Sequence, residues 1–154
     1  MKPKIDDVDK KILRILLEDA TKTYSDISKM IYVSTATVHL RVKNMRERGI
    51  IESTRIAISE EALGLDIKAF LGIYLEKSMY YRSVLEALNS IPEIVNVHYT
   101  TGKYNILAFV ICRDTKHLNE LLNYQIQQIK GVQSTDTFLS LDEPIDRNPF
   151  IDLE

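Results

Sequence analysis

Apolar positions recur with a helical period through the first third of the chain and with a strand period over much of the rest. Val8, Ile12, Ile15 and Leu16 share one helical face, and Asp6 and Asp7 stand at its start, where acidic groups complement the helix dipole. Thr23 can cap a second helix with Ile27, Met30 and Ile31 turned inward. Ser34 can cap a third, in which Val38, Val42 and Met45 form the buried stripe and Gly49 supplies the C-terminal stop. Ile50–Ile58 then has strand character and predicts a small wing or a connecting ribbon.

Beyond residue 58 the period changes. Ser59–Leu65 reads as a short helical linker ending at Gly64. Strands are expected over 68–76, 94–101, 104–112 and 132–141, with helices over 80–90 and 115–128 and a tight turn at Gly102-Lys103. Tyr81, Val84, Leu85 and Leu88 face inward on the first of these helices, and Leu118, Leu121, Leu122 and Ile126 on the second. The order βαββαβ is that of a ferredoxin-like split arrangement, in which the first and third strands are central and both helices cover one side. Those two strands, Ala69–Leu75 and Ile106–Cys112, are apolar on both faces, whereas Val95–Thr101 turns polar. A strand apolar on both sides belongs where both faces are covered. Helices supply one cover, so the other face predicts a homodimer interface.

The fold class is therefore α+β: a winged helix-turn-helix over 1–58, a linker over 59–67 and a ferredoxin-like domain over 68–154. Charge follows the same division. Residues 1–58 carry 12 Lys+Arg against 8 Asp+Glu, a net of +4, and residues 59–154 carry 8 against 14, a net of −6. A basic front and an acidic back suit a nucleic-acid reader joined to a module that does not bind the phosphate backbone. Cys112 is the single cysteine, which excludes an intrachain disulfide and a thiol zinc cluster. It lies within an apolar run, as a buried inert thiol does. No apolar run reaches the roughly 18 residues of a membrane span and no secretory leader opens the chain, so a cytoplasmic protein is expected.

With Val38, Val42 and Met45 turned to the core, the third helix presents Thr35, Ala36, His39, Leu40, Lys43 and Asn44 outward. Ser34 and Thr37 complete a small-residue entry that lets backbone approach the DNA major groove, and Arg41, Arg46 and Arg48 lie where they can reach phosphates. Two such readers on a two-fold axis match a palindromic site with half-sites about 34 Å apart or a multiple of it. His39 has no partner at ligand spacing, so no metal site is expected. The turn before this helix offers Tyr32 where glycine is usual, so it is expected to be lengthened or distorted. In the back domain two polar islands stand out: 99–105, and Gln133–Thr137 with Gln125, Gln127 and Gln128 before it. Thr135 and Thr137 share a face and Gly102 permits close backbone approach. Hydroxyls and amides of this kind suit the carboxylate and ammonium of an amino acid; they equally suit an edge strand and a hairpin with no ligand at all.

The segments 5–13, 33–50, 99–104 and 129–141, the last with Thr135-Asp-Thr137, resemble the Lrp/AsnC family of transcription regulators across nearly the whole chain. The Tyr99–Tyr104 and Gln133–Thr137 segments resemble in particular the AsnC branch, named for its asparagine response. The resemblance implies a winged helix-turn-helix joined to a ligand-sensing RAM domain, dimers through the sheet that assemble to octamers, and a small amino-acid effector between dimers in place of any cofactor. Carried over by position, the effector residues are Tyr99, Thr101, Gly102, Tyr104, Gln128, Thr135 and Thr137. Asn105 stands where many relatives have Asp. Some haem-biosynthesis decarboxylases resemble the same family, but their polycarboxylate substrates call for convergent basic groups. Here Lys68, Lys77, Arg82, Lys103, Arg113, Lys116, Lys130 and Arg147 are scattered, as are His98 and His117, so no catalytic residues are expected. A sensor without DNA binding is the third reading, and the basic third helix speaks against it.

Overall fold

The computed structural model describes residues 5–148. It divides into two compact units: residues up to Ala57 together with those from Ile145 onward, and Ile58–Pro144. The described part of the tail, residues 145–148, therefore groups with the front unit and not with the sheet domain, a correction to the boundary expected over 68–154, whose last six residues lie outside the described ones. The side-chain amide of Asn148 donates to the Leu17 carbonyl at 2.8 Å, a bond that sequence spacing does not reveal.

The front unit is three helices: α1 (Asp7–Glu18), α2 (Tyr24–Ile31) and α3 (Thr35–Glu47). Asp6 caps α1 in a reciprocal box: its carboxylate accepts from the Asp9 amide at 2.9 Å, and the Asp9 carboxylate accepts from the Asp6 amide at 3.3 Å. Thr23 caps α2 and Ser34 caps α3, as the sequence predicts. Past α3 the Gly49 amide bonds the Arg46 carbonyl and the Ile50 amide bonds the Met45 carbonyl, with Gly49 left-handed at φ 67°. That pair of bonds is a Schellman closure, which needs a residue without a Cβ penalty at that point. Ile12, Leu13, Ile27, Val38, Val42 and Met45 form the core, fully or nearly fully buried.

Three expectations change here. Met30 is exposed, because Tyr24, Ile27, Ser28 and Ile31 centre the inward face of α2 and leave Met30 beyond its edge. Residues 50–58 form no strand: Ile50 and Ile51 pack on the helices, Ile56 is exposed, and among the described residues the front unit offers no second strand to pair with. The turn between α2 and α3 is neither lengthened nor displaced. Tyr32 takes the left-handed conformation itself (φ 58°, ψ 46°), with its side chain 94% exposed.

Arg41 also departs from its expected place. Its guanidinium turns toward α1, where Nη1 donates to Asp6 Oδ2 at 2.5 Å and reaches Asp9 Oδ1 at 3.4 Å. Asp9 is buried, so the cation compensates a carboxylate held away from water. The hydrogen bond from the Asp9 amide, and then Arg41, hold the Asp6 carboxyl below its ordinary 3.8.

The back unit is β1 (Ile67–Leu75), α4 (Tyr81–Asn89), β2 (Ile94–Tyr99), β3 (Ile106–Cys112), α5 (Thr115–Glu120) and β4 (Val132–Leu139). One antiparallel sheet has the order β2-β3-β1-β4, with β1 and β3 central as the topology requires. α5 is shorter than expected, because Leu121–Ile126 continues as a π-helical turn. Ala69, Leu71, Ile73 and Leu75 of β1 and Ile106, Ala108, Val110 and Cys112 of β3 point to the helices and pack with Val84, Leu88, Leu118, Leu121 and Ile126. The opposite face carries Phe70, Tyr74, Leu107, Phe109 and Phe138, with Phe70 paired in register to both Phe109 and Phe138. Phe70 is 42% and Phe138 48% exposed in a single chain.

Tyr32 stores strain that glycine would not. Tyr32→Gly should raise the unfolding free energy by about 0.5 kcal/mol in urea titration, since roughly 1–2 kcal/mol of left-handed strain is partly offset by the added chain entropy of glycine. Arg41→Ala should lower it by about 1–2 kcal/mol at neutral pH by leaving Asp9 short of its cation. The folded pKa of Asp6 is depressed, so its contribution is present above 3.8 and lost as pH falls through the lower folded value. The difference between native and variant should therefore narrow on acidification below that point.

Candidate DNA-reading helix and effector residues

The hydroxyl residues that lead α3 are occupied by the fold. Ser34 Oγ accepts from the Thr37 amide at 3.0 Å and lies 2.8 Å from Thr37 Oγ1. Ser28 Oγ donates to the Ser25 carbonyl at 2.7 Å, which leaves the Thr35 hydroxyl, 3.1 Å away, to donate to it. That bond fastens the start of α3 to α2 and thereby sets the angle of the turn. The residues left facing solvent are Ala36, His39, Leu40 and Lys43, with Glu47 on the same stripe. The His39 ring meets the edge of Tyr24 at 5.7 Å, which gives the imidazole a fixed platform. Leu40 is 56% exposed, an apolar group suited to a thymine methyl. Lys43 is loosely paired with Glu47 at 3.8 Å, and both are largely exposed. Asn44 is half-buried at the margin, and Arg46 and Arg48 are exposed at the C-terminal end. Of the outward-facing residues named from sequence, Arg41 alone is committed to α1. Its acidic partners Asp6 and Asp9 are visible in the sequence, but nothing in their spacing connects them to a residue more than thirty positions away.

The effector residues named by resemblance do not converge within one chain. Tyr99 lies on β2 at one edge of the sheet, its ring 4.3 Å from that of Tyr81. Thr135 and Thr137 lie on β4 at the other edge, opposite Ile73 and Leu71 and therefore on the helix-covered side. Gln127 Nε2 donates to Thr135 Oγ1 at 3.4 Å, while Gln128 is turned to the Asn123 carbonyl at 2.9 Å. Thr101 and Gly102 are in the hairpin, closed by Thr100 Oγ1 on the Tyr104 carbonyl at 2.5 Å. Gly102 has no positive φ, and a Cβ there would meet open space, so the close approach expected of it does not occur within the chain.

Tyr104 goes to the other face. Its ring lies so close over Gly72 that a Cβ at that glycine would fall 2.4 Å from a ring carbon. It packs at 5.2 Å from Tyr74 and 6.0 Å from Phe138. Lys103 Nζ sits 5.1 Å above the Tyr104 ring and 3.3 Å from Asp136 Oδ2, which also accepts from the Tyr74 hydroxyl at 3.3 Å. The Tyr74 phenol, then Asp136 and the Tyr104 phenol, raise the pKa of Lys103, and Lys103 in turn lowers that of Asp136. Asn105 is structural: its side-chain oxygen accepts from the Leu75 amide at 2.9 Å where the β1–β4 register shifts.

Groups that would serve other chemistry are placed for packing. The Cys112 thiol is buried, and burial, with Glu93 and Asp114 adding to it, pushes its pKa up to about 11. His117 Nδ1 accepts from the Arg113 amide at 3.3 Å and its Nε2 lies 3.0 Å from Glu93, tying α5 to the approach to β2. Among the described residues no group of His, Cys, Asp and Glu could hold a metal ion, and no helix is long and apolar enough to cross a membrane.

Comparison with known proteins agrees with both units. Residues 5–52 match a winged helix-turn-helix DNA-binding model, and residues 68–150 match the Lrp/AsnC ligand binding domain. The chain is 41% identical over 144 residues to the regulatory protein AsnC of Haemophilus influenzae, covering 94% of this chain and 96% of that one. It is 40% identical over 143 residues to regulatory protein AsnC of Escherichia coli, covering 93% and 94%. The solved structure of E. coli AsnC superposes with a TM-score of 0.91 at 39% identity, over 96% of this chain and 99% of that one. A helix-turn-helix with an exposed reading face, a ligand-binding sheet domain and relatives of near-equal length together make this chain a member of the Lrp/AsnC family, a DNA-binding transcription regulator that responds to a small effector.

Proposed function

We propose that two copies of the chain pair through the open face of the sheet, that the pair presents two α3 helices to a palindromic operator, and that a small amino acid, asparagine foremost, bound between pairs sets the response. The observation that carries this reading is the uncovered face itself: Phe70, Leu107, Phe109 and Phe138 around the Tyr104 ring, apolar surface that water does not favour and a second copy can bury. The Lys103–Asp136 pair beside it places opposite charges side by side, which gives a patch able to be its own complement across a two-fold axis. The dispersal of the effector residues supports a site assembled from several copies. Tyr99 and Thr135 occupy opposite edges of one sheet, so neighbouring chains supply what one chain separates. Hydroxyl and amide groups at Thr101, Gln128, Thr135 and Thr137 match a zwitterion with a polar side chain. The similarity to AsnC proteins favours asparagine.

On the DNA, Ala36, His39, Leu40 and Asn44 face base edges and Lys43 takes a phosphate, with Ser34, Thr35 and Thr37 holding the helix that carries them. Catalysis has little support. Two of the lysines that a polycarboxylate substrate would call on are already paired, Lys68 with Glu60 and Glu143 and Lys103 with Asp136.

Lys43→Ala should leave stability unchanged and reduce the slope of log affinity against log salt by about one unit. An unaltered slope in a gel-shift series would remove Lys43 from the interface. Thr135→Ala should abolish asparagine binding by calorimetry while the chain still folds and pairs. Native mass spectrometry with and without a panel of amino acids reads the assembly directly. A monomer throughout, or normal asparagine binding by the variant, would refute the corresponding half of the reading.

A further inference from the structure

Among the described residues Tyr32 is the one non-glycine held at positive φ; Gly49, Gly64 and Gly131 occupy the other such positions. In that conformation a Cβ crowds the following carbonyl oxygen, a clash that glycine avoids. The turn itself does not require the side chain. Backbone groups close it, the Tyr32 and Val33 amides both donating to the Ser28 carbonyl. Nor does the side chain add packing, since Tyr32 is 94% exposed and stands outside the front core. A bulky residue that strains the backbone and is left in solvent does nothing for the fold. Strained residues of this kind gather where a ligand is gripped.

The position of Tyr32 in the chain points to the ligand. Val33 alone separates it from Ser34, the cap of α3, so Tyr32 stands at the leading end of the reading helix. Helices of this kind present their N-terminal residues to the major groove. A helix with its side chains is about 10–12 Å across and the groove about 12 Å wide, so residues at the entry stand against the phosphate walls. From Ile27 to Arg46 the chain has no carboxylate and four basic residues, Lys29, Arg41, Lys43 and Arg46. A phosphate that approaches this segment meets no acidic group belonging to it. A tyrosine hydroxyl can donate to a phosphate oxygen without itself carrying charge.

We propose that Tyr32 is a further DNA-contacting residue: its hydroxyl donates to a phosphate beside the groove that α3 enters, and so fixes the register of that helix on the duplex. The proposal rests on the reading of α3 given above and concerns the front unit alone. A neutral donor displaces no counterion, so this contact differs from that of Lys43 in leaving the salt dependence untouched.

The test uses the full chain and a duplex selected by it from a random pool, together with single-base variants of that duplex. Tyr32→Phe keeps the ring and the strained backbone and removes only the donor. It should unfold at the native urea concentration, bind about tenfold more weakly and keep the native salt slope. The loss should be the same factor on every single-base variant, because a phosphate carries no sequence. Tyr32→Gly should bind no better than Tyr32→Phe while being more stable than the native chain, so that affinity and stability move in opposite directions.

Native affinity in Tyr32→Phe, a reduced slope, or a loss confined to one base position would overturn the phosphate contact. Lys43→Ala measured in parallel separates the two readings. A lowered slope there with native binding by Tyr32→Phe refutes this contact alone, whereas native behaviour of both variants refutes the placement of α3 in the groove as well.

Discussion

Two helices can seal only one face of a four-stranded sheet, and here the two central strands are apolar on both. Ala69, Leu71, Ile73 and their partners on β3 satisfy the sealed side with a close-packed core. The other side carries Phe70, Phe109 and Phe138 in register with one another, at a cost of unfavourable hydration for as long as it stays bare. The rest of the molecule is arranged around that imbalance. Gly72 lacks a side chain so that Tyr104 can lie flat on the bare face, and Lys103 and Asp136 set an ion pair at its margin. The hairpin that carries Thr101 and Gly102 is thus fastened through Tyr104 to the surface that a second copy would cover.

The front unit solves a different problem: holding one helix rigid while keeping one side of it bare of structural duties. Its polar groups divide accordingly. Ser34, Thr35 and Thr37 serve caps and the α2–α3 turn, and Arg41 joins α3 to α1 through Asp6 and Asp9. What remains outward, Ala36, His39, Leu40 and Lys43, mixes small, apolar, aromatic and cationic groups over about two turns of helix. Such a mixture suits the reading of base edges and phosphates together, which a uniformly basic face does not. Tyr32, held in a conformation that favours glycine, shows that the turn geometry is imposed by the packing of α2 and α3 and not by the local preference of its residue.

Much of this was legible in the linear order of residues. The caps of α2 and α3 follow from Thr23, Ser34 and Gly49, because capping is a local matter of a side-chain oxygen or a missing Cβ within four residues. The βαββαβ order, the central position of β1 and β3 and the bare sheet face follow from period-two patterning, since strand alternation assigns each residue a face whatever lies across from it. The outward face of α3 follows likewise from the period of Val38, Val42 and Met45.

What the sequence could not decide were pairings between distant segments. That Arg41 turns to Asp6, that Tyr104 crosses to Gly72, that Asn148 returns to Leu17 and that Lys68 joins Glu60 to Glu143 are each choices among several partners of suitable charge or shape. The strand expected over 50–58 failed for the same reason, because β propensity states only that a segment could join a sheet, and the front unit supplies no neighbour among its described residues. The separation of Tyr99 from Thr135 to opposite edges is also tertiary, fixed by the strand order and invisible in the motifs that first drew them together. Local periodicity determines which way a side chain points; only the folded chain determines what it meets there, because a contact depends on two positions at once and the pattern along the chain describes one at a time.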